Sequence, residues 1–394
     1  MSEVVILSAT RTPLGAFQGA LASVPAPRLG AVAIRGAVAQ AGVRADEITD
    51  VLMGHVLQAG AGQAPARQAA LYARLPPAVR CTTVHKVCGS GMEAVIMGAR
   101  ALAAGDATLV VAGGMETMSA APYLLPKARD GYRLGHQQVV DSLLHDGLWD
   151  PYDNLHMGNC AEQCARKYGF TREQQDAFAA ESFRRAQAAQ QDGRLAQEIT
   201  AVEKPGAKGA TVVVDRDEGP AKVNFEKMPT LRPAFEAAGT ITAANASTLN
   251  DGAAALVLGT VADAKVRGLK PIARVVAWGA HAQEPVWFTT APVTAAQHAL
   301  QRAGWSVDDV DVWEVNEAFA VVPLAFMHEL RVPHDRLNVR GGAIALGHPL
   351  GASGARILVT LLAAMRERGA RRGLAAICIG GGEGLAVCVE TLSA

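Results

Sequence analysis

Short β-branched runs alternate with alanine-rich stretches of helical period toward both ends of this 394-residue chain, and that alternation limits the fold more than any other feature. VVILSA at 4–9 precedes LGAVAIRGAVAQAG at 29–42, and DVLMGHVL at 50–57 precedes the segment carrying Gln68 to Tyr72. TLVVAGG at 108–114 follows a helix that begins just after Cys88. The rhythm resumes with PIARVVAWG at 271–279, a helix near 294–303, DVWEVN at 311–316 and a helix through Leu330. A histidine turn, a helix over 353–368 and the strands LAAICIGG and GLAVCVE close the chain. Strand, helix and strand in this order predict a layered α/β fold with parallel strand pairs. From 116 to about 249 the texture changes to scattered aromatics, prolines and charged helical stretches. One of these, TREQQDAFAAESFRRAQAAQQ, opens with Thr171 and Gln174 at capping-box spacing. The organisation expected is two similar halves, 1–118 (completed by about 250–268) and 269–394, with an inserted loop domain over 119–249. An insertion of that size commonly shapes a ligand site.

Hydrophobic residues make up 50% of the chain and charged residues 19%, a balance for a large buried core with subunit interfaces covering the apolar excess. Lysine plus arginine and aspartate plus glutamate both count 37, so no global field draws nucleic acid or anionic lipid. Any polyanionic ligand must be met by a local patch. No run approaches the roughly 18 apolar residues of a membrane span, and MSEVVILSATRTPLGAF lacks the basic start of a secretory signal. The six cysteines follow no disulfide-framework spacing, which points to a reducing cytoplasmic setting.

Cys88 directly precedes GSGMEAVIMGARALAAGD, where Met92, Val95, Ile96, Ala99 and Leu102 repeat at helical spacing. A cysteine at a helix N-terminus is expected to favour its thiolate; a small buried hydrophobe is the alternative. His348 sits between glycine clusters in VRGGAIALGHPLGASGARI, able to take a nucleophile's proton or donate to an oxyanion, or else to satisfy a turn. Cys378 in CIGGGEG precedes Gly380, Gly381 and Gly382, whose N–H groups suit a developing negative charge. Asn316 follows DVWEV and is read as starting a helix with Glu317, so N-capping alone would explain it. Two cysteines, a histidine and an asparagine are the parts of a thiol-based acyl-transfer site. Cys160 and Cys164 lack a second ligand pair at metal-site separation, so no metal centre is expected.

With AGGMETMSAAPY at 112–123, HMGNCAEQ at 156–163, TITAANASTLNDGAAALVL at 240–258 and WEVNEAF, these sites resemble the thiolase family in order and across nearly the whole chain. The resemblance implies a five-layer αβαβα fold assembled as a homotetramer, a dimer of dimers. It also implies acetyl-CoA C-acetyltransferase activity, the reversible Claisen condensation of two acetyl-CoA to acetoacetyl-CoA and CoA. Cys88 would be acylated with His348 activating it, and Cys378 would move the α-proton of the second acetyl-CoA. One oxyanion hole would be His348 with a water on Asn316, the other the N–H groups of Cys88 and Gly380. CoA and acyl-CoA enter as substrates, with no covalently bound cofactor. His156, Met157, Ser247, Ala318 and Phe319 match the family's pantetheine channel, and Lys222, Val223, Asn224 and Lys227 its nucleotide end.

His85 replaces the asparagine usual three residues before the nucleophile. Phe288 in EPVWFTTAPV is similar to the potassium-activated acetoacetyl-CoA thiolases, yet Pro220 stands where those carry a potassium-binding tyrosine. Ala243, Ala244, Ala246 and Ile344 remain from such a site, and potassium is left open. A degradative 3-ketoacyl-CoA thiolase of broader chain length would share the catalytic set; Phe288, Phe319 and Met157 favour short chains. A ketosynthase-like enzyme would lack the second catalytic cysteine. A non-catalytic acyl-CoA-binding scaffold would have no reason to keep Cys88, His348 and Cys378 together.

Overall fold

The computed structural model describes residues 2–392, so the outermost ends of the two halves drawn above, at 1 and 393–394, lie outside it. The first half runs β1 (Val4–Arg11), α1 (Ala26–Ala41), β2 (Asp50–Gly54), α2 (Pro65–Tyr72), β3 (Arg80–Val84), α3 (Ser90–Ala104) and β4 (Val110–Thr117). Helices α4 (Met157–Tyr168) and α5 (Arg172–Gln191) anchor the intervening region before β5 (Asn250–Thr260) returns to the first half. The second half runs β6 (Ala273–Ala282), α6 (Ala291–Ala303), β7 (Val312–Val315), α7 (Val321–Leu330), α8 (Leu350–Arg368), β8 (Arg372–Ile379) and β9 (Glu383–Glu390). The capping box read at Thr171 and Gln174 is formed at the start of α5.

The strands hydrogen-bond in the order β7-β8-β9-β6-β1-β5-β4-β2-β3. Pairs β2/β3, β2/β4 and β7/β8 are parallel and the middle of the path is antiparallel. Among the described residues, the two halves of the sheet pair through Val5 and Ile6 of β1, opposite Arg274 and Ala273.

Alternation along the strands separates the layers. Val5, Leu7, Ala255 and Val257 pack against α1 in one core. Val4, Ile6, Leu256 and Leu258 face inward, joining Ile377, Val387, α3 and α8 in a second. Leu374, Ala376, Cys378 and Cys388 face outward to α6 and the inserted helices in a third. Outer helix, sheet half, central helix pair, sheet half and outer helix make five layers.

The central helices explain the composition. Every residue of α8 from Leu350 to Met365 is buried, as a helix enclosed on all sides requires. The 18 residues Val87–Ala104, ending with α3, are apolar and long enough to span a membrane by composition, contrary to the reading above. Packing between the two sheet halves accounts for that apolarity.

Glycines let the first turn of α8 lie directly on the strand ends. A Cβ on Gly114 of β4 would stand 2.0 Å from the Gly351 carbonyl oxygen, and one on Gly54 of β2 would stand 2.6 Å from the same atom. Both obstacles are backbone and cannot rotate away. Gly114→Ala is therefore expected to destabilise the protein by about 3 kcal/mol or more, lowering Tm by several degrees in a thermal melt and cutting specific activity through the displaced α8 turn. An unchanged melt and activity would mean that this approach is looser than the geometry shows.

Candidate active site

Both central helices begin at one place. Cys88 lies two residues before α3, in a turn where Gly89 N–H donates to the Lys86 carbonyl (3.0 Å) and Ser90 Oγ donates to the Val87 carbonyl (2.6 Å). Val87 holds φ +43°, costly for a β-branched residue and of the kind that concentrates at functional sites. His348 lies two residues before α8. Its N–H donates to Asn250 Oδ1 (3.0 Å), while Asn250 Nδ2 donates to the Gly15 carbonyl (2.9 Å). Gly347 has φ +118°, and a Cβ there would stand 2.3 Å from the Asn250 amide. The histidine turn is thus pinned to β5, and only glycine fits before it.

Cys88, His348 and Gly380 line one cavity of about 240 Å³, together with His156, Met157, Phe288 and Phe319. The N–H groups of Gly380 and of Cys88 itself lie close enough to the Cys88 sulfur to favour its thiolate. Cys378 lies one residue before the end of β8, fully buried, close enough that ionised Cys88 would oppose its own ionisation.

Burial decides the protonation states here. It pushes the Cys88 thiol up to about 12 against the pull of the two N–H groups, and Cys378 well above the ordinary thiol range. Burial, and then the Arg356 guanidinium, bring His348 down to about 3. The thiolate expected from the helix start is therefore opposed by burial: the surface Cys88 retains faces the cavity, and desolvation outweighs the two N–H groups. Resting Cys88 and His348 are a neutral pair.

The N-capping reading of Asn316 is also corrected. Helix α7 starts at Val321, and Asn316 continues from β7 with its N–H donating to the Ala376 carbonyl (3.0 Å). Its side-chain Oδ1 and Nδ2 are both buried without a protein partner, a state that calls for water or substrate. The next residue, Glu317, accepts from Ser182 Oγ (2.8 Å), Asn338 Nδ2 (2.8 Å) and Ile344 N–H (3.1 Å), anchoring the loop.

The residues matched to a CoA channel gather in two connected spaces. Ser247 N–H donates to the Ala318 carbonyl (2.9 Å), setting Ala318 and Phe319 beside Ser247 at the inner cavity. His156 caps α4, its Nδ1 accepting from Gly158 N–H (2.9 Å), so its hydrogen sits on Nε2 as a donor. Lys222, Val223, Asn224 and Lys227 line an outer cleft of about 660 Å³, which shares Phe235, Ala246, Ser247, Thr248 and Leu249 with the inner cavity. Ala243, Ala244 and Ile344 lie along the same cleft. Pro220 is buried, and its carbonyl accepts from Gln187 Nε2 (2.8 Å).

Asn250, Ser353 and Phe235 escape the sequence reading. Asn250 and Ser353 act through contacts between distant or newly formed elements, and only their places in NDG and GHPLGASG hint at them. Phe235, stacked on His156 at 4.7 Å between ring centroids, carries no local signal.

Residues 4–262 match the family described as thiolase, N-terminal domain, and residues 269–391 match thiolase, C-terminal domain. The chain is 51% identical to an acetyl-CoA acetyltransferase of Pseudomonas aeruginosa over 98% of its own length and 99% of the relative's. It is 48% identical to one of Schizosaccharomyces pombe, covering 99% of each. Among solved structures, it is similar to the Acat5 thiolase of Ascaris suum in complex with coenzyme A, with TM-score 0.94, 45% identity and coverage of 99% and 100%. The acetyl-CoA acetyltransferase of Bacillus anthracis superposes with TM-score 0.97 at 39% identity, covering 100% of this chain and 99% of that one.

Proposed function

The chain belongs to the thiolase family, and from that premise we propose an acetyl-CoA acetyltransferase that makes and cleaves acetoacetyl-CoA through an acetyl thioester on Cys88. The observation that carries this reading is that Cys88, Gly380 and His348 line one cavity, with the N–H groups of Cys88 and Gly380 near the sulfur. An acyl carbon bonded to that sulfur would place its oxygen near the same donors.

As Cys88 Sγ attacks acetyl-CoA, its proton passes to His348 Nε2, and the tetrahedral oxyanion takes the Cys88 and Gly380 N–H groups. The thioester bond to CoA breaks, and the departing CoA sulfur takes the proton of Cys378. A Cys378 thiolate and a His348 imidazolium remain, each offsetting the cost of burying the other. The thiolate removes an α-proton from the second acetyl-CoA, and the enolate oxygen is held by His348 Nε2–H and by a water on Asn316. The enolate carbon attacks the acetyl group, acetoacetyl-CoA departs, and Cys88 recovers its proton from His348. In reverse, the resting Cys378 thiol is already the form that protonates the leaving carbanion.

CoA is proposed to follow the two connected spaces. His156 Nε2–H, Met157, Ser247, Ala318 and Phe319 would meet its pantetheine arm, and Lys222, Val223, Asn224 and Lys227 its nucleotide end. Lys222 and Lys227 supply positive charge to the phosphates of a substrate that a neutral protein must attract locally. Potassium would lack a side-chain ligand at Pro220, which has no side-chain oxygen and whose carbonyl accepts from Gln187. A dimer of dimers is proposed for the assembly, which would cover Tyr123, Leu125, Leu134 and Val139, all exposed on one subunit. Six unpaired cysteines suit a reducing cytoplasmic setting.

Phe288, Phe319 and Met157 wall the acyl end, Phe288 and Phe319 meeting edge to face at 6.4 Å. For thiolysis, kcat/KM with acetoacetyl-CoA is expected to exceed that with 3-ketohexanoyl-CoA by at least about tenfold, because added methylenes meet these side chains. Equal or rising efficiency with longer chains would replace this reading by a degradative thiolase of broad range.

A further inference from the structure

We propose that Ser353 fixes the tautomer of His348 and is a positioning residue for the transfer of the Cys88 proton. His348 Nδ1 lies 2.6 Å from Ser353 Oγ, and that hydroxyl reaches the Pro349 carbonyl at 2.8 Å. A serine hydroxyl carries one hydrogen. With that hydrogen on the Pro349 carbonyl, Oγ meets the ring as an acceptor, so Nδ1 holds the ring proton and Nε2 presents a lone pair.

The opposite assignment would turn the hydroxyl onto Nδ1 and move the ring hydrogen to Nε2. It withdraws the hydrogen bond to Pro349 and leaves Nε2, buried and without a protein partner, holding a stranded donor. The first arrangement makes two hydrogen bonds at Ser353, Nδ1–H to Oγ and Oγ–H to the Pro349 carbonyl, where the second makes one. Ser353 is itself fully buried in the first turns of α8, so water does not compete for its hydroxyl. The two histidines of the cavity are then fixed in opposite senses: His156 offers Nε2–H, and His348 offers an open Nε2. During the cycle the Nδ1–H···Oγ bond stays in place while Nε2 gains and loses the proton from Cys88.

This inference rests on the reading of His348 as the base for Cys88, and the test separates the two. The enzyme is grown with ring-¹⁵N histidine, and His348 is assigned by the signal missing from His348→Asn. Wild type should show a protonated Nδ1 and an unprotonated Nε2. Ser353→Ala should move the hydrogen toward Nε2 and slow acetylation of Cys88, followed by rapid quench, on the order of 10²-fold, the usual worth of a general base, with KM for acetyl-CoA little changed. A wild-type spectrum with the hydrogen on Nε2 would overturn the inference whether or not the variant folds. So would Ser353→Ala that acetylates at the wild-type rate while His348→Asn is slow. If His348→Asn also acetylates at the wild-type rate, it is the base assignment that fails.

Discussion

Cys378→Ala is expected still to accept an acetyl group on Cys88, yet to lose condensation by on the order of 10³-fold, the range a positioned proton-transfer group supplies. The expectation follows from where the two sulfurs sit. Cys88 and Gly380 carry the N–H groups that meet the acyl oxygen, and neither depends on the side chain of Cys378. Cys378 is fully buried one residue before the end of β8, and its removal leaves a small apolar gap rather than an exposed loop. What disappears is the base for the carbon-bound proton. The variant should therefore also fail to exchange the α-protons of acetyl-CoA with deuterated solvent, while wild type exchanges them. Departure of the first CoA without the Cys378 proton must then draw on solvent, so a modest slowing of acetylation is consistent and a complete block is not. Near wild-type condensation by Cys378→Ala would make Cys378 a bystander and turn attention to Cys388, which lies on the same outward face of the sheet.

Much of the architecture is legible in the residues because its signals are periodic. Strands that alternate between two cores, and a helix buried from Leu350 to Met365, leave their marks at fixed spacing. Glycine clusters mark the close approaches: GSG after Cys88 and GASG after His348 are where α3 and α8 touch, with a Cβ on Gly354 only 2.4 Å from the Met92 nitrogen. Boundaries are less legible. Helix α8 begins at Leu350 rather than at 353, because Pro349 serves as its N-cap residue, and the strand read over 50–57 stops at Gly54.

The site is legible where local sequence sets the geometry and not where tertiary burial does. Cys88, His348 and Gly380 reach one cavity from turns whose glycines are visible in the chain. The protonation of Cys88 depends also on how much protein surrounds the turn, and burial, which raises the thiol, has no local mark in the sequence. Asn316 read as a cap because polar residues before helices usually are; the helix starts five residues later, and the burial of its orphaned amide is a property of the assembled fold. Ser353 and Asn250 position His348 through single hydrogen bonds, which leave no periodic trace.

The second large effect concerns Cys88 itself. Incubation with [1-¹⁴C]acetyl-CoA, acid quench and proteolytic mapping should place one acetyl group on the peptide carrying Cys88. Cys88→Ser should abolish both that label and the overall reaction, because a serine hydroxyl is a far weaker nucleophile and a poorer leaving group. The neutral resting pair of Cys88 and His348 implies that label accumulates only when His348 can take the proton, so His348→Asn should label slowly at the same peptide. Mapping the trapped acetyl group in wild type and Cys378→Ala side by side addresses the division of labour between the two cysteines most directly. Acetyl on Cys88 in both proteins is the result predicted; acetyl on Cys378 in wild type, or on neither cysteine, would contradict it.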